Sequence, residues 1–151
     1  MYFHHLMFFL HTLGVVVWMG GLVFVYLCLQ PVAARLPPSQ RLILWVSILS
    51  RFFPLVWISI ALILISGIGV FYERGYSLAP MAWHAMSMTG LIMIIVYALQ
   101  WFGPWRNLRA AVIREDWASG TVALNIVLRW IGFNLGLGMV TIALATFGLA
   151  M

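Results

Sequence analysis

A chain of 151 residues that is 65% hydrophobic and only 7% charged has too little polar surface for a water-soluble domain, in which roughly a quarter of residues are charged. Its net charge of +5 arises from eight arginines against three acids, with no lysine. Arginines scattered between apolar runs suit anionic lipid headgroups and exclude the clustered footprint of a nucleic-acid binder. The composition predicts an integral membrane protein in contact with the lipid bilayer, organised as one domain over 1–151.

Four apolar runs follow in chain order, at about 3–29, 42–71, 80–102 and 122–149. Each matches or exceeds the roughly 20 residues a helix needs to cross ~30 Å of hydrocarbon. Unsatisfied backbone groups are too costly in lipid for any other long, non-alternating element. The expected fold is all-α, a polytopic membrane four-helix bundle. The first run lacks a basic leader segment and a clean cleavage site, so it reads as a retained helix. The lone Cys28 within it has no disulfide partner and reads as a small buried hydrophobe. Between Pro104 and Gly120, Arg106, Arg109 and Arg114 interleave with Trp105, Leu108, Val112 and Ile113 at helical spacing, which predicts a short interfacial helix before the fourth span.

The first connection carries Arg35 and Arg41, and the third carries Arg106, Arg109 and Arg114. The second has Arg74 beside Glu73. The bias places the basic loops in the cytoplasm and both termini on the outer, periplasmic side of what is expected to be a bacterial-type inner membrane. His11 then lies about 10 Å, and His84 about 6 Å, below the outer surface at 1.5 Å per residue. Arg51 and Arg129, counted from the opposite ends of their runs, fall roughly 10–14 Å deep. No acid occurs within any span to pair with them.

Two imidazoles above two unpaired arginines fit a b-type haem. Neutral histidine is a good axial ligand to iron, and buried propionates call for arginine. Gly14 sits one turn beyond His11, where it could admit a flat macrocycle, and Gly20 and Gly21 favour close helix approach. Gly132, Gly136 and Asn134 offer small or hydrogen-bonding positions on the last span, and Trp18, Trp57, Trp83 and Trp130 could wall a pocket. This reading implies electron transfer or haem handling, with a redox partner or quinone. His4 and His5 are adjacent and terminal, which places them in water. Copper competes: His4, Met7 and His11, and separately Met81, His84 and Met88, recur at i, i+3, i+7, so each triplet shares a helix face. Imidazole with thioether suits Cu(I). The third reading is a non-catalytic assembly subunit, and self-association or a place in a larger membrane complex is compatible with all three. No hydrolase, nucleotide-binding or paired-carboxylate motif is present, which leaves enzymatic activity open.

The stretch HTLGVVVWMGGLVF around His11 resembles the first helix of the CopD-like copper-resistance membrane family. The resemblance continues through SRFFPLVWISIALILISG with Arg51, through WHAMSMTGLIMIIVYALQWFGPWRNLR with His84, and into RWIGFNLGLGMVTIALATFG with Arg129 and Asn134. It implies copper uptake or tolerance. The first helix also resembles, more distantly, the HemJ-type haem-associated oxidases of protoporphyrinogen, where a first-helix histidine ligates haem. That family relies on a lysine that this chain lacks, so the resemblance implies ligation by His11 rather than the oxidase reaction.

Overall fold

Prolines set where the long helices begin. Pro37 and Pro38 open one, Pro80 precedes another, and Gly103-Pro104 breaks the third run; each fixes φ where the amide N–H has no helical partner to lose. The computed structural model describes residues 2–75, 77 and 79–148. Leu149, at the end of the fourth predicted span, and Tyr76 and Leu78, in the loop after Glu73, lie outside the described residues.

Helix α1 (Tyr2–Val23) runs through a π-helical stretch (Phe24–Leu29) into the short α2 (Gln30–Ala33). Then come α3 (Pro38–Arg74), α4 (Met81–Phe102), α5 (Pro104–Ile113) and α6 (Trp117–Phe147). Four of these stretches are long and apolar enough to cross a membrane: Tyr2–Ala33, Pro38–Arg74, Met81–Ile113 and Trp117–Phe147. The helices outrun the apolar segments because their arginine-bearing ends remain helical. Gly75 stops α3 with φ 81°, in the left-handed region that a side chain resists. Asp116 caps α6 by accepting a 3.1 Å hydrogen bond from the Ser119 amide.

The spans pair as two hairpins, α1 with α3 and α4 with α6. Lipid supplies no hydrophobic drive for this, so close packing and interhelical hydrogen bonds hold the pairs. Gly14 lets the two backbones of the first hairpin come close. A Cβ there would stand 2.9 Å from both Ile63 Cγ1 and the Ser59 carbonyl oxygen. Along the same seam His4 meets Glu73, Met7 lies against Gly69 and His11 meets Ser66. Positions 4, 7, 11 and 14 therefore alternate steps of three and four, the spacing of a left-handed helix pair.

The hairpins join through aromatic rings at the arginine-rich end. Phe53 packs edge-on against Tyr97, Trp101 and Trp105, and Trp57 against Tyr97 and Trp101. The Tyr97 hydroxyl donates to the Phe53 carbonyl at 2.7 Å, Gln100 to Val127 at 3.3 Å and Asn134 to Met93 at 3.3 Å. Helix α5 forms as expected, but Trp105, Leu108 and Ala111 are buried rather than turned to lipid. Gly120 of α6 brings Ala111 and Leu42 together there, which gives the apolar stripe a protein partner.

The cap of α6 carries a pH prediction. Hydrogen bonding from the Ser119 side chain and then its backbone, with Arg114 nearby, holds the Asp116 carboxyl below its ordinary value. A lowered folded-state pKa gives stability above the unfolded value, lost as pH falls through the folded one. The protection of the Ser119 amide, relative to its intrinsic exchange rate, should be high at neutral pH and fall only below the usual carboxylate range. Asp116→Ala should lower that protection at every pH.

Candidate functional site

A partly open cavity of about 640 Å³ lies among the four spans, toward the end where α1 begins and α6 ends. That volume lies within the ~300–1,000 Å³ typical of small-ligand sites. Helix α1 contributes His11, Trp18 and Met19, α3 contributes Ile63 and Phe71, α4 contributes Met86 and Met93, and α6 contributes Gly138 and Thr141. The wall is apolar except for one imidazole, three thioethers, an indole and a few hydroxyls.

The chemistry of His11 is set by its neighbour on α3. Ser66 is fully buried and its hydroxyl donates to the Ile63 carbonyl at 3.0 Å. Its oxygen is thereby left to accept from His11 Nδ1, also 3.0 Å away. This arrangement puts the ring proton on Nδ1 and leaves the lone pair of Nε2 for a ligand. A carbonyl or hydroxyl behind one nitrogen is the usual way a protein orients histidine toward a metal.

Heights within the bundle follow from cross-helix contacts. Gly138 is the common neighbour of Met19 and Met93: a Cβ on it would collide with Met19 and come 3.1 Å from Met93 Cε. His11 is eight residues above Met19 and Met86 seven above Met93, so both stand about 10–12 Å above that floor. The cavity thus has an upper tier of His11 and Met86 and a lower tier of Met19 and Met93. Beneath it lies the aromatic layer, where Trp18 meets Tyr97.

The other residues expected at the site go elsewhere. His84 does not line the cavity; its ring lies 5.9 Å from that of Phe71, inclined by 32°, with Phe71 itself on the cavity wall. The two expected axial histidines are therefore not brought to one cavity. Arg51 and Arg129 are exposed on the outside of the bundle. Phe53 packs on Trp105 at the start of α5, so Arg51 stands level with the arginine-bearing α5. Arg129 is nine residues, roughly 13 Å, below the cavity floor at Gly138. Neither guanidinium reaches a ligand in the cavity. Gly14 serves the α1–α3 contact, and Asn134 is buried with its Oδ1 unpartnered and its Nδ2 bound to Met93. Met7 packs on α3, while Met81 and Met88 point outward, 84% and 62% exposed.

Spacing placed each methionine–histidine triplet on one face, but spacing alone does not say what that face meets. The first triplet faces α3, and the second has both its methionines turned outward. The thioethers of the cavity, Met19, Met86 and Met93, belong to neither triplet; the seven-residue spacing of Met86 and Met93 was a local sign that those two share a face of α4. Among the described residues, no three His, Cys, Asp or Glu side chains gather to hold a metal.

These features define a polytopic helical membrane protein with a thioether- and imidazole-lined cavity open to one half of the bundle. The chain belongs to the CopD family, copper resistance protein D, whose model matches residues 46–147, about two thirds of its length. The matched stretch covers most of α3 and all of α4, α5 and α6, and with them Met86, Met93 and Gly138; α1, with His11 and Met19, precedes it. No curated protein and no solved structure matches the chain.

Proposed function

We propose that this protein takes monovalent copper into the cavity from the side of the membrane that carries its termini. His11 Nε2 is the nitrogen donor and Met86 a thioether donor at the same height. The observation that carries the reading is His11 itself, fixed by Ser66 so that Nε2 keeps its lone pair on a wall with three thioethers. Neutral nitrogen and sulfur donors in an apolar setting suit Cu(I) above other first-row ions. Membership of the copper-resistance family supports the same ion. Haem receives less support, because His84 and the two arginines lie outside the cavity.

The arginine bias supports the orientation. Seven of the eight arginines lie on or beyond the aromatic layer, and Arg74 is the exception, so the arginine-rich end faces the cytoplasm of a bacterial-type plasma membrane. The termini and the cavity mouth then face outward, where copper arrives.

The test is one detergent-purified sample, loaded with Cu(I) in a bicinchoninate buffer and analysed for metal and by optical spectroscopy. Copper should be retained, at equivalents that fall in His11→Ala, with no Soret absorption. Failure to retain copper, or a Soret band that His11→Ala abolishes, would overturn the assignment.

A further inference from the structure

We infer that the cavity floor is a second Cu(I) station, a thioether clamp formed by Met19 and Met93 over Gly138. The inference rests on the copper reading of the cavity and adds where the ion goes after His11.

Both side chains come from different hairpins, Met19 from α1 and Met93 from α4, and both converge on one glycine of α6. A single point, the absent Cβ of Gly138, lies against Met19 Sδ and Cε and 3.1 Å from Met93 Cε. The Met19 thioether and the terminal methyl of Met93 are therefore neighbours across the hairpin boundary, and both side chains are flexible enough at their ends to turn their sulfurs to one ion. Each is buried yet lines the cavity, so each is reachable from the upper tier and shielded from lipid. The Thr141 hydroxyl, which donates to the Leu137 carbonyl at 2.8 Å, lies 3.9 Å from Met93 Sδ. A Cβ at 138 would occupy the point where the two side chains converge, so both would have to shift.

The donor chemistry differs between the tiers. The upper tier joins a strong nitrogen donor to one sulfur, and the lower offers sulfur alone. Two neutral thioethers bind Cu(I) while discriminating against harder and higher-valent ions. A descending ion would pass from a mixed to a pure sulfur shell over about 10–12 Å. Multi-site binding of moderate strength is also what permits an ion to leave.

The experiment is Cu(I) titration of the full chain in lipid nanodiscs against bicinchoninate, with copper X-ray absorption on the loaded samples. Wild type should bind about two equivalents, one with a nitrogen-containing shell and one with sulfur only. Met19→Leu and Met93→Leu preserve side-chain volume and should each remove the sulfur-only equivalent alone. Met139→Leu, on the exposed outer face of α6, is the control and should change nothing. If wild type binds one equivalent and both leucine variants keep it, the floor station is overturned while copper binding at His11 stands. If wild type binds none, the copper reading itself is overturned. A folded leucine variant is recognised by the wild-type Tm and elution volume; if both variants fail that check, X-ray absorption of wild type decides, and absence of a sulfur-only shell refutes the clamp.

Discussion

His11→Ala is expected to lower Cu(I) affinity roughly 100-fold or more, and Ser66→Ala about tenfold. The first removes the only nitrogen donor on the cavity wall. The second removes the acceptor that keeps the ring proton on Nδ1, and loss of such an orienting partner typically costs ~10–100-fold in metal affinity. The ring remains in Ser66→Ala, but it divides between tautomers and rotamers, and part of the population offers an N–H where the ion needs a lone pair. Chelator competition at fixed pH measures both. Unchanged affinity in Ser66→Ala beside a large loss in His11→Ala would dispose of the orienting role while retaining the ligand. The reverse order of effects would contradict both roles.

Gly14→Val is expected to destabilise the bundle by about 3 kcal/mol, the upper end of what overpacking costs in a close-packed interior. Any Cβ at that position meets the Ser59 carbonyl oxygen at 2.9 Å, and a main-chain atom cannot rotate away as a side chain can. Helices α1 and α3 must separate, and the His11–Ser66 bond is drawn apart with them. The variant should lose both thermal stability and copper. Gly20→Ala and Gly67→Ala provide the comparison, since a Cβ at either meets nothing within 4 Å; both should melt close to wild type. If Gly14→Val melts with them, the seam does not depend on close approach at that point.

Much of the architecture was written plainly in the sequence. Hydropathy and length are properties of a segment by itself, so four spans and a helix after Gly103-Pro104 could be read without knowledge of their neighbours. His11 stood out for the same reason, as an imidazole deep in an apolar run. What could not be read was rotation. Met81, His84 and Met88 share a face, but whether that face meets lipid or protein depends on where α3 and α6 lie, and Met86, between them in sequence, is the one that lines the cavity. Arg51 and Arg129 could be counted along their helices but not rotated about them: both are exposed on the outside of the bundle, and the contact of Phe53 with Trp105 puts Arg51 near the height of α5. Ser66 was invisible as a partner to His11, because a serine 55 residues away gives no local sign that it will orient a ring.

The pairing of spans into two hairpins bears on how the protein is made. Each hairpin completes its own closest contacts, so the first can settle in the membrane while the ribosome is still translating the second. The cavity has no such independence: its walls are drawn from both hairpins, and its floor takes one sulfur from each. An unfinished chain therefore has the histidine but no enclosure around it. Only with arrival of the last span is the cavity complete, so under the copper proposal a nascent chain is expected to hold no ion during synthesis.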